Sequence, residues 1–400
     1  MDTREGLQID QQEIESAPDA ADLEVDDQSA ESGAVAPHVN ARIQAALERA
    51  KRGDIDAAVQ SLSQLVSEPE GGFLAAYNLG AIAERGGQYE LAVRRYIQAL
   101  QKNPDFTPAV TNLARIYLRQ NRPQDADDIV RRFIDLRPEN LNHRAVRLEV
   151  MIAQGRYEDV VRGARDILRK DERHVDAMIA MAHANIHLER YELARAILAS
   201  ALALSPKRPE LYYLSGVVEL GMDNDPSAMN NFRRAVELQP NYPEARNNLG
   251  VLYHGARDYD AAIEQFQAAV ADYPEFKEAY LNLGNSLKGA ARFKEAEQAF
   301  LKALAIDTEY ADAHFNLGIL YLESPVPGLE DIPRLQRSIE AFNRYRHAAR
   351  GRIAGDDPAG RYIEEANTTI EQTRQREEMM RRAQMQAEGQ EESKHDEGDD

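Results

Sequence analysis

Residues 77–100 read YNLGAIAERGGQYELAVRRYIQAL, and residues 247–270, displaced by five steps of 34, read NNLGVLYHGARDYDAAIEQFQAAV. Stepping by 34 from Ala92 gives Ala126, Val160, Ala194, Ala228, Ala262 and Ala296. A second ladder holds Gly80, Ala114, Leu148, Ala182, Gly216, Gly250, Gly284 and Gly318. A third holds Tyr96, Val130, Ala164, Leu198, Phe232, Phe266 and Phe300, and Pro104, Pro138, Pro206, Pro240 and Pro274 form a fourth. A fixed period of this size is the mark of a repeat architecture. Each ladder has a physical reading. The small residue of a Leu-Gly pair lets a second helix cross close to the first, and Ala92 or Ala262 does the same from the other side. The large apolar residue one turn later fills the gap between them. Proline then ends the second helix. Such a helix–turn–helix unit cannot bury its apolar face alone and must stack on its neighbours.

These coincident positions resemble the tetratricopeptide repeat family over residues 39–350. The resemblance implies an all-α, right-handed superhelical solenoid of about nine stacked repeats. The first unit is degenerate, with Ala46, Ala58, Leu62 and Leu65 in phase. Seven regular units follow from Phe73 to Tyr310. The last begins HFNLGILYLE and regains the pattern only if eight residues are inserted, which puts Phe342 and Tyr345 in the gap-filling seats. The insertion, about 324–335, carries three prolines and a glycine, which forbid a continuous helix. The unit from Leu141 to His174 is the weakest, with Arg147-Leu148 in place of Leu-Gly. Another departure is Asp225, at a turn position where five other units carry an aromatic residue. Both units are expected to be bends or soft points.

The formal charge is −20, unevenly spread. Residues 1–36 hold eleven acids against Arg4 alone, and residues 388–400 hold seven against Lys394. Both segments are poor in aromatics and are expected to be acidic disordered tails that keep the repeats dispersed. The alternative is that they repel acidic surfaces or shield the ends of the solenoid from basic partners. Either reading disfavours nucleic acid as a partner. Between body and tail, residues 357–387 begin with Asp357 and Pro358, a good helix start. Tyr362, Ile363, Ala366 and Ile370 give a short apolar stripe that reads as a capping helix, with Met379, Met380 and Met385 as the basis of an alternative partner-binding segment.

There is no cysteine, hence no disulfide, thiolate site or cysteine nucleophile. No apolar run of the ~18–20 residues needed to cross a bilayer is present, so direct membrane insertion is not expected. No apolar leader is visible, so a cytoplasmic location is expected, with the periplasm or cell envelope as the alternative if a leader was removed. No phosphate-cradling glycine loop, HExxH or GxSxG occurs, so neither an enzyme nor a cofactor is expected. His183 and His187 lie four apart on one helix, with Glu149 and Arg115 at the equivalents of His183 in the two preceding units. Two histidines and a carboxylate can hold zinc, but nothing fixes a third ligand, and the pair reads as solvent-facing with no metal.

The candidate binding residues form a ladder of asparagines. Asn78, Asn112, Asn248, Asn282 and Asn316 each precede a Leu-Gly or Leu-Ala pair. The resemblance places this seat on the concave surface lined by first helices. A side-chain amide carries donor and acceptor and can pair with a peptide backbone whatever its sequence. The ladder is similar to that in the superhelical repeats of the O-linked N-acetylglucosamine transferase, whose catalytic half is absent here. Tyr77, Tyr213, Leu281 and Phe315 add apolar surface beside it, and Val146, Ala180 and Leu214 interrupt it. Chaperone-binding relatives grip a C-terminal carboxylate with a lysine four residues before the asparagine. Here that seat holds Leu74, Pro108, Glu244, Glu278 and Asp312, so that clamp is not formed.

The C-terminal stretch ADAHFNLGILYLE, LQRSIEAFNRYR and RYIEEANTTIEQ resembles bacterial tetratricopeptide proteins associated with gliding-motility machinery. Those are envelope proteins, often with a lipoprotein leader and its cysteine, neither of which is visible here. The expected function is therefore a non-catalytic scaffold or adaptor holding a protein partner's segment in the concave groove. One alternative is an assembly subunit of an envelope or motility complex using the convex face and insertion loop. Another is a targeting subunit of a separate enzyme. The sequence leaves the partner's identity and the oligomeric state open.

Overall fold

The computed structural model describes residues 35–350 and 357–396, with side chains through residue 386. Helices occur in consecutive pairs: α1 (Pro37–Lys51) with α2 (Ile55–Leu65), α3 (Gly72–Arg85) with α4 (Tyr89–Lys102), α5 (Thr107–Arg119) with α6 (Pro123–Leu136), and α7 (Leu141–Ala153) with α8 (Tyr157–Leu168). Then come α9 (Val175–His187) with α10 (Tyr191–Leu204), α11 (Pro209–Gly221) with α12 (Asp225–Leu238), and α13 (Pro243–Gly255) with α14 (Tyr259–Asp272). The series ends with α15 (Lys277–Gly289) and α16 (Phe293–Ile306), α17 (Ala311–Glu323) and α18 (Asp331–Ala348), and a single α19 (Pro358–Asp396). No strand occurs among the described residues. The chain divides into two compact units, one up to Ala245 and one from Arg246.

The turn inside each pair repeats with the sequence period. Gly53, Gly87, Asn121, Gly155, Glu189, Asp223, Arg257 and Ala291 stand 34 apart, all with φ between 54° and 89°. The next residue sends its N–H back five positions, as in Gln88 N–H to Ala83 O at 2.8 Å and Arg292 N–H to Leu287 O at 2.8 Å. This closes the first helix with a Schellman motif. Five of the eight seats hold a side chain in the left-handed region, where L-residues lose about 1–2 kcal/mol. Ala291→Gly is therefore expected to stabilise the protein by about 0.5–1 kcal/mol, part of the relief being offset by the freer unfolded glycine. Gly155→Ala should do the opposite. Urea unfolding of the two variants checks this, and equal midpoints would remove the strain account.

Within each pair the close crossing forms as its residue sizes require. A Cβ built on Gly80, Gly216, Gly250, Gly284 or Gly318 would come within 2.4–2.8 Å of the ring of Tyr96, Phe232, Phe266, Phe300 or Phe342. These five rings are fully buried, as are Ala92 and its successors at 34-residue steps. Phe342 over Gly318 repeats the arrangement of Phe300 over Gly284, so the eight-residue insertion restores the register. The insertion itself is seated by Val326, which is 1% exposed, and by Arg334, whose guanidinium donates to the carbonyls of Tyr321 and Leu322 at the end of α17. α18 begins at Asp331, inside the stretch read as helix-breaking. Pro333 lies in its first turn, where no intrahelical donor is needed.

The unit from Leu141 to His174, expected to be soft, is closed by a reversal of sizes. The large residue here is Leu148 on the first helix, and the small ones, Gly163 and Ala164, are on the second. A Cβ on Gly163 would meet Leu148 Cδ2 at 2.7 Å, and Leu148, Val160 and Ala164 are buried together. The seam is filled from the other side.

Ala359, Ala366 and Ile370 of α19 are buried against Phe315, Leu335 and Phe342, so its first turns cover the apolar end of α17 and α18. Beyond Thr373 its side chains stand exposed through residue 386, and Met379, Met380 and Met385 are 66%, 58% and 65% exposed. The helix continues to Asp396, past residue 387, where the composition alone had begun a tail; Glu, Gln and Lys are good helix formers. The expected disorder of residues 1–34 and 397–400 concerns segments outside the described residues, whereas Val35 and Ala36 pack on the first core.

Candidate interaction surface on the first helices

Within each unit the first helices touch one another, as α5 with α7, α7 with α9, α9 with α11, and α15 with α17. They form a wall there, and Tyr77 and Glu84 on α3, hydrogen-bonded to Asn112 and Arg115 on α5, extend it towards the N-terminus. Any residue at a fixed repeat position on this wall is therefore presented in a row.

In the unit up to Ala245, the asparagine ladder is turned inward. Asn78 is 6% exposed and donates to Leu74 O in its own helix at 2.8 Å. Asn112 is 5% exposed and donates to the hydroxyls of Tyr77 (3.2 Å) and Tyr96 (3.0 Å). Its Oδ1 accepts from Arg115 at 2.9 Å. The Tyr96 hydroxyl in turn donates to Glu84 at 2.7 Å, and Glu84 also receives Arg115 at 3.2 Å and pairs with Arg119 at 3.7 Å. Burial, then the Glu84 carboxylate, pushes the Tyr96 hydroxyl far above its ordinary pKa, so it stays a donor. This network ties α3 and α4 to α5; it holds the stack together. Tyr77 is half-buried against Tyr96 and Phe106, with ring centroids 5.5 and 5.1 Å away. Tyr213 is 5% exposed, packed on Phe232 and Tyr242. Val146, Ala180 and Leu214 are buried.

Three residues further along each first helix, nearly one turn, run Arg115, Glu149 and His183. The Glu149 carboxyl is pushed up to about 8, first by its desolvation among the neighbouring helices and then by Glu210 and Asp176, with Arg208 and Arg115 opposing. Its side chain is nevertheless open to water, which screens such a push, so its direction is what matters here. His183 and His187 are half-buried. They meet edge to face at 4.9 Å, and His187 stacks on Tyr157 at 4.3 Å, so the pair is an aromatic contact between successive repeats where a solvent-facing one was expected. No three His, Asp or Glu side chains come together as a metal site among the described residues.

In the unit from Arg246 the ladder behaves differently. Asn282 donates to Asn247 Oδ1 at 3.0 Å and keeps its own carbonyl oxygen. Asn248 and Asn316 are half-buried and make no side-chain hydrogen bond among the described residues. Leu281 and Asn285 beside them are also half-buried. Phe315 is 6% exposed, enclosed by Phe342, Tyr345 and Tyr362, so α19 occupies that part of the wall. Asn247 escaped the sequence reading, although it stands beside Asn248 in NNLG. Glu84 also escaped it, because a single acid outside every ladder gives no periodic signal. Among the described residues no helix is long and apolar enough to cross a membrane.

Solved structures with the same repeat architecture resemble this chain at low identity. The APC/C hetero-tetramer Cut9-Hcn1 matches at 15% identity and TM-score 0.47, over 82% of this chain and 84% of that one. A tetratricopeptide repeat protein from Parabacteroides merdae matches at 13% identity and TM-score 0.42, over 65% and 98%. YrrB, described as a TPR protein with an unusual peptide-binding site, matches at 20% identity and TM-score 0.33, over 55% and 95%. No curated protein matches. Family models described as tetratricopeptide repeat match residues 43–108, 213–276, 255–310 and 281–353, and a second such model matches 83–147 and 151–216. With the 34-residue ladders, the paired helices and the glycine–aromatic crossings, these matches identify the chain as a member of the tetratricopeptide repeat family.

Proposed function

We propose that this protein is a non-catalytic interaction scaffold that holds an extended segment of a protein partner along the first helices of the unit from Arg246. The observation that carries this reading is the pair of half-buried amides, Asn248 and Asn316, which make no side-chain hydrogen bond among the described residues and flank Asn282, whose carbonyl oxygen is likewise uncommitted among them. Amides in such seats leave donors and acceptors to be met from outside. A peptide backbone supplies both, whatever its side chains. In the other unit, Asn78 and Asn112 are already bonded within the protein, so the same motif has a structural role there.

That division gives the test. Partners captured on the full chain would be measured by calorimetry against Asn248→Ala/Asn282→Ala/Asn316→Ala and against Asn78→Ala/Asn112→Ala. The triple variant should weaken binding by a few kcal/mol, each neutral hydrogen bond contributing about 0.5–1.5 kcal/mol. Its helices should be undisturbed, since alanine is the better helix former. The double variant should lower stability and leave affinity nearly unchanged. Unchanged affinity in the triple variant refutes the reading. It would favour the exposed insertion, whose Pro325, Pro327 and Glu330 face water on a loop anchored by Val326 and Arg334; charge reversal at Glu330 and Asp331 should then abolish binding.

A further inference from the structure

Lys51, Arg85 and Arg119 stand 34 residues apart, each in the last turn of a first helix, on α1, α3 and α5. Arg115 lies one turn earlier on α5. The same seat in the next first helix is Ala153, and carboxylates gather beyond it, where Glu210 and Asp176 act on Glu149 with Arg208 and Arg115 opposing. The positive stretch thus occupies the N-terminal end of this wall. At Lys51 and Arg85 little among the described residues neutralises it. Arg85 is exposed and makes no ion pair among the described residues. Among the described residues Lys51 meets only Glu48, at 3.5 Å and with both side chains open to water, a pair of small worth. Glu84 pairs with both Arg115 and Arg119, which leaves Lys51 and Arg85 as the outer cations of the ladder. A cation at a helix C-terminus answers the helix dipole, but Ala153 and Gly221 occupy the same seat in other repeats, so the fold does not require one there.

We propose that the acidic segment preceding α1, residues 1–34, docks on this ladder in cis. The complementarity is direct: the segment carries eleven carboxylates against Arg4, with Asp19, Asp22, Glu24, Asp26, Asp27 and Glu31 concentrated in its second half. The tether is short and anchored at the right end, because Val35 packs on the first core. Asp19–Glu31 lies 4 to 16 residues before that anchor, a reach of about 13–53 Å at roughly 3.3 Å per residue. The 15-residue α1 spans about 22 Å from its start to Lys51, at 1.5 Å per residue. Attachment gives the segment a millimolar effective concentration at the ladder without any strong single contact. Beyond α5 the ladder stops, with Ala153 in its seat on α7, which limits the docked stretch to the first three repeats. A consequence is that acidic partners compete with the protein's own segment for these cations. This inference concerns the unit up to Ala245 and does not rest on the asparagine reading of the other unit.

The chain has no cysteine, so Ala21→Cys and Gln120→Cys in the full-length protein create a unique pair for nitroxide labels. Electron–electron double resonance then reads the distance from the segment to the end of α5. At low salt a narrow, short component should hold most of the labelled pairs, and it should persist when excess unlabelled chain is added. In 1 M NaCl, where the screening length is about 3 Å, that component should be lost. It should also be lost in Asp22→Asn/Glu24→Gln/Asp26→Asn/Asp27→Asn and in Arg85→Glu/Arg119→Glu. If the arginine variants disturb folding, the segment variants carry the test, since they leave the repeats untouched. A broad distribution that neither salt nor either set of substitutions changes overturns the proposal. So does a short component that disappears on dilution with unlabelled chain, which would assign the docked segment to a second copy.

Discussion

Gly284→Leu is expected to destabilise the protein by overpacking the crossing of α15 and α16. A Cβ alone at residue 284 would sit 2.4 Å from Phe300 Cε1, and Phe300 is fully buried, so the ring cannot swing outward into water. Overpacking of a filled crossing costs about 1–3 kcal/mol and occasionally more. Contacts in a stacked array are between nearest neighbours, so the damage should stay near α15 and α16. Hydrogen exchange should show lost protection there and in the flanking helices, with α3 to α8 unaffected. Phe300→Ala alone should cost about 3–5 kcal/mol through the cavity it leaves. The double variant Gly284→Leu/Phe300→Ala should be more stable than the sum of the two losses, because it installs the reversed sizes already seen at Leu148 and Ala164. Strict additivity would show that the crossing is not a volume constraint.

Acidification is expected to destabilise the protein in two stages. His143 is fully buried, and desolvation holds its pKa below the ordinary value, outweighing the upward pull of Asp105 and the Phe133 backbone. His254 is depressed by burial in the same way. As pH falls below about 6.5 the unfolded chain takes up these protons first, so stability present above that pH is lost as it drops toward the folded values, at up to about 1.4 kcal/mol per pH unit per histidine. The second stage belongs to Asp127 and Glu297. Burial raises both carboxyls, but hydrogen bonds and charges more than reverse this: from Arg147 and Arg131 on Asp127, and from Lys294, Tyr321 and Arg337 on Glu297. Both end below their ordinary range, so their contribution is present above about pH 4 and is lost as pH falls further. Urea midpoints at pH 7.5, 5.5 and 3.5 would resolve the stages. His143→Ala, the residue most other repeats carry at this position, should shrink the first and leave the second. In a Glu149→Gln background, which removes the opposing gain from that raised carboxyl, a midpoint that rises between pH 7.5 and 5.5 would contradict the assignment.

The repeat period, the helix pairs and the register of the last unit were legible in the chain alone, because each is a local demand on residue size. Gly80 and Tyr96, or Gly284 and Phe300, are spaced by the geometry of one helix–turn–helix, and any sequence that satisfies them 34 residues later must build the same unit again. Phe342 could be placed over Gly318 across an eight-residue insertion for that reason. The capping face of α19 was legible in Tyr362, Ile363, Ala366 and Ile370 by the same logic of an apolar stripe. The binding wall was only half legible. Five asparagines at one repeat position look equivalent in sequence, yet Asn112 is claimed by Tyr77, Tyr96 and Arg115 while Asn316 is claimed by no side chain or backbone among the described residues. The difference arises because Tyr96 carries a hydroxyl where Phe232, Phe266, Phe300 and Phe342 do not, and because Glu84 and Arg115 stand where no ladder predicts them. The closure of the Leu141–His174 unit likewise depended on Leu148 and Ala164 exchanging sizes across two helices, a pairing that no one-dimensional pattern weighs. Periodicity therefore settles what is repeated along the chain. Which polar groups are satisfied inside, and which are left for a partner, is settled only when side chains from neighbouring units meet in space.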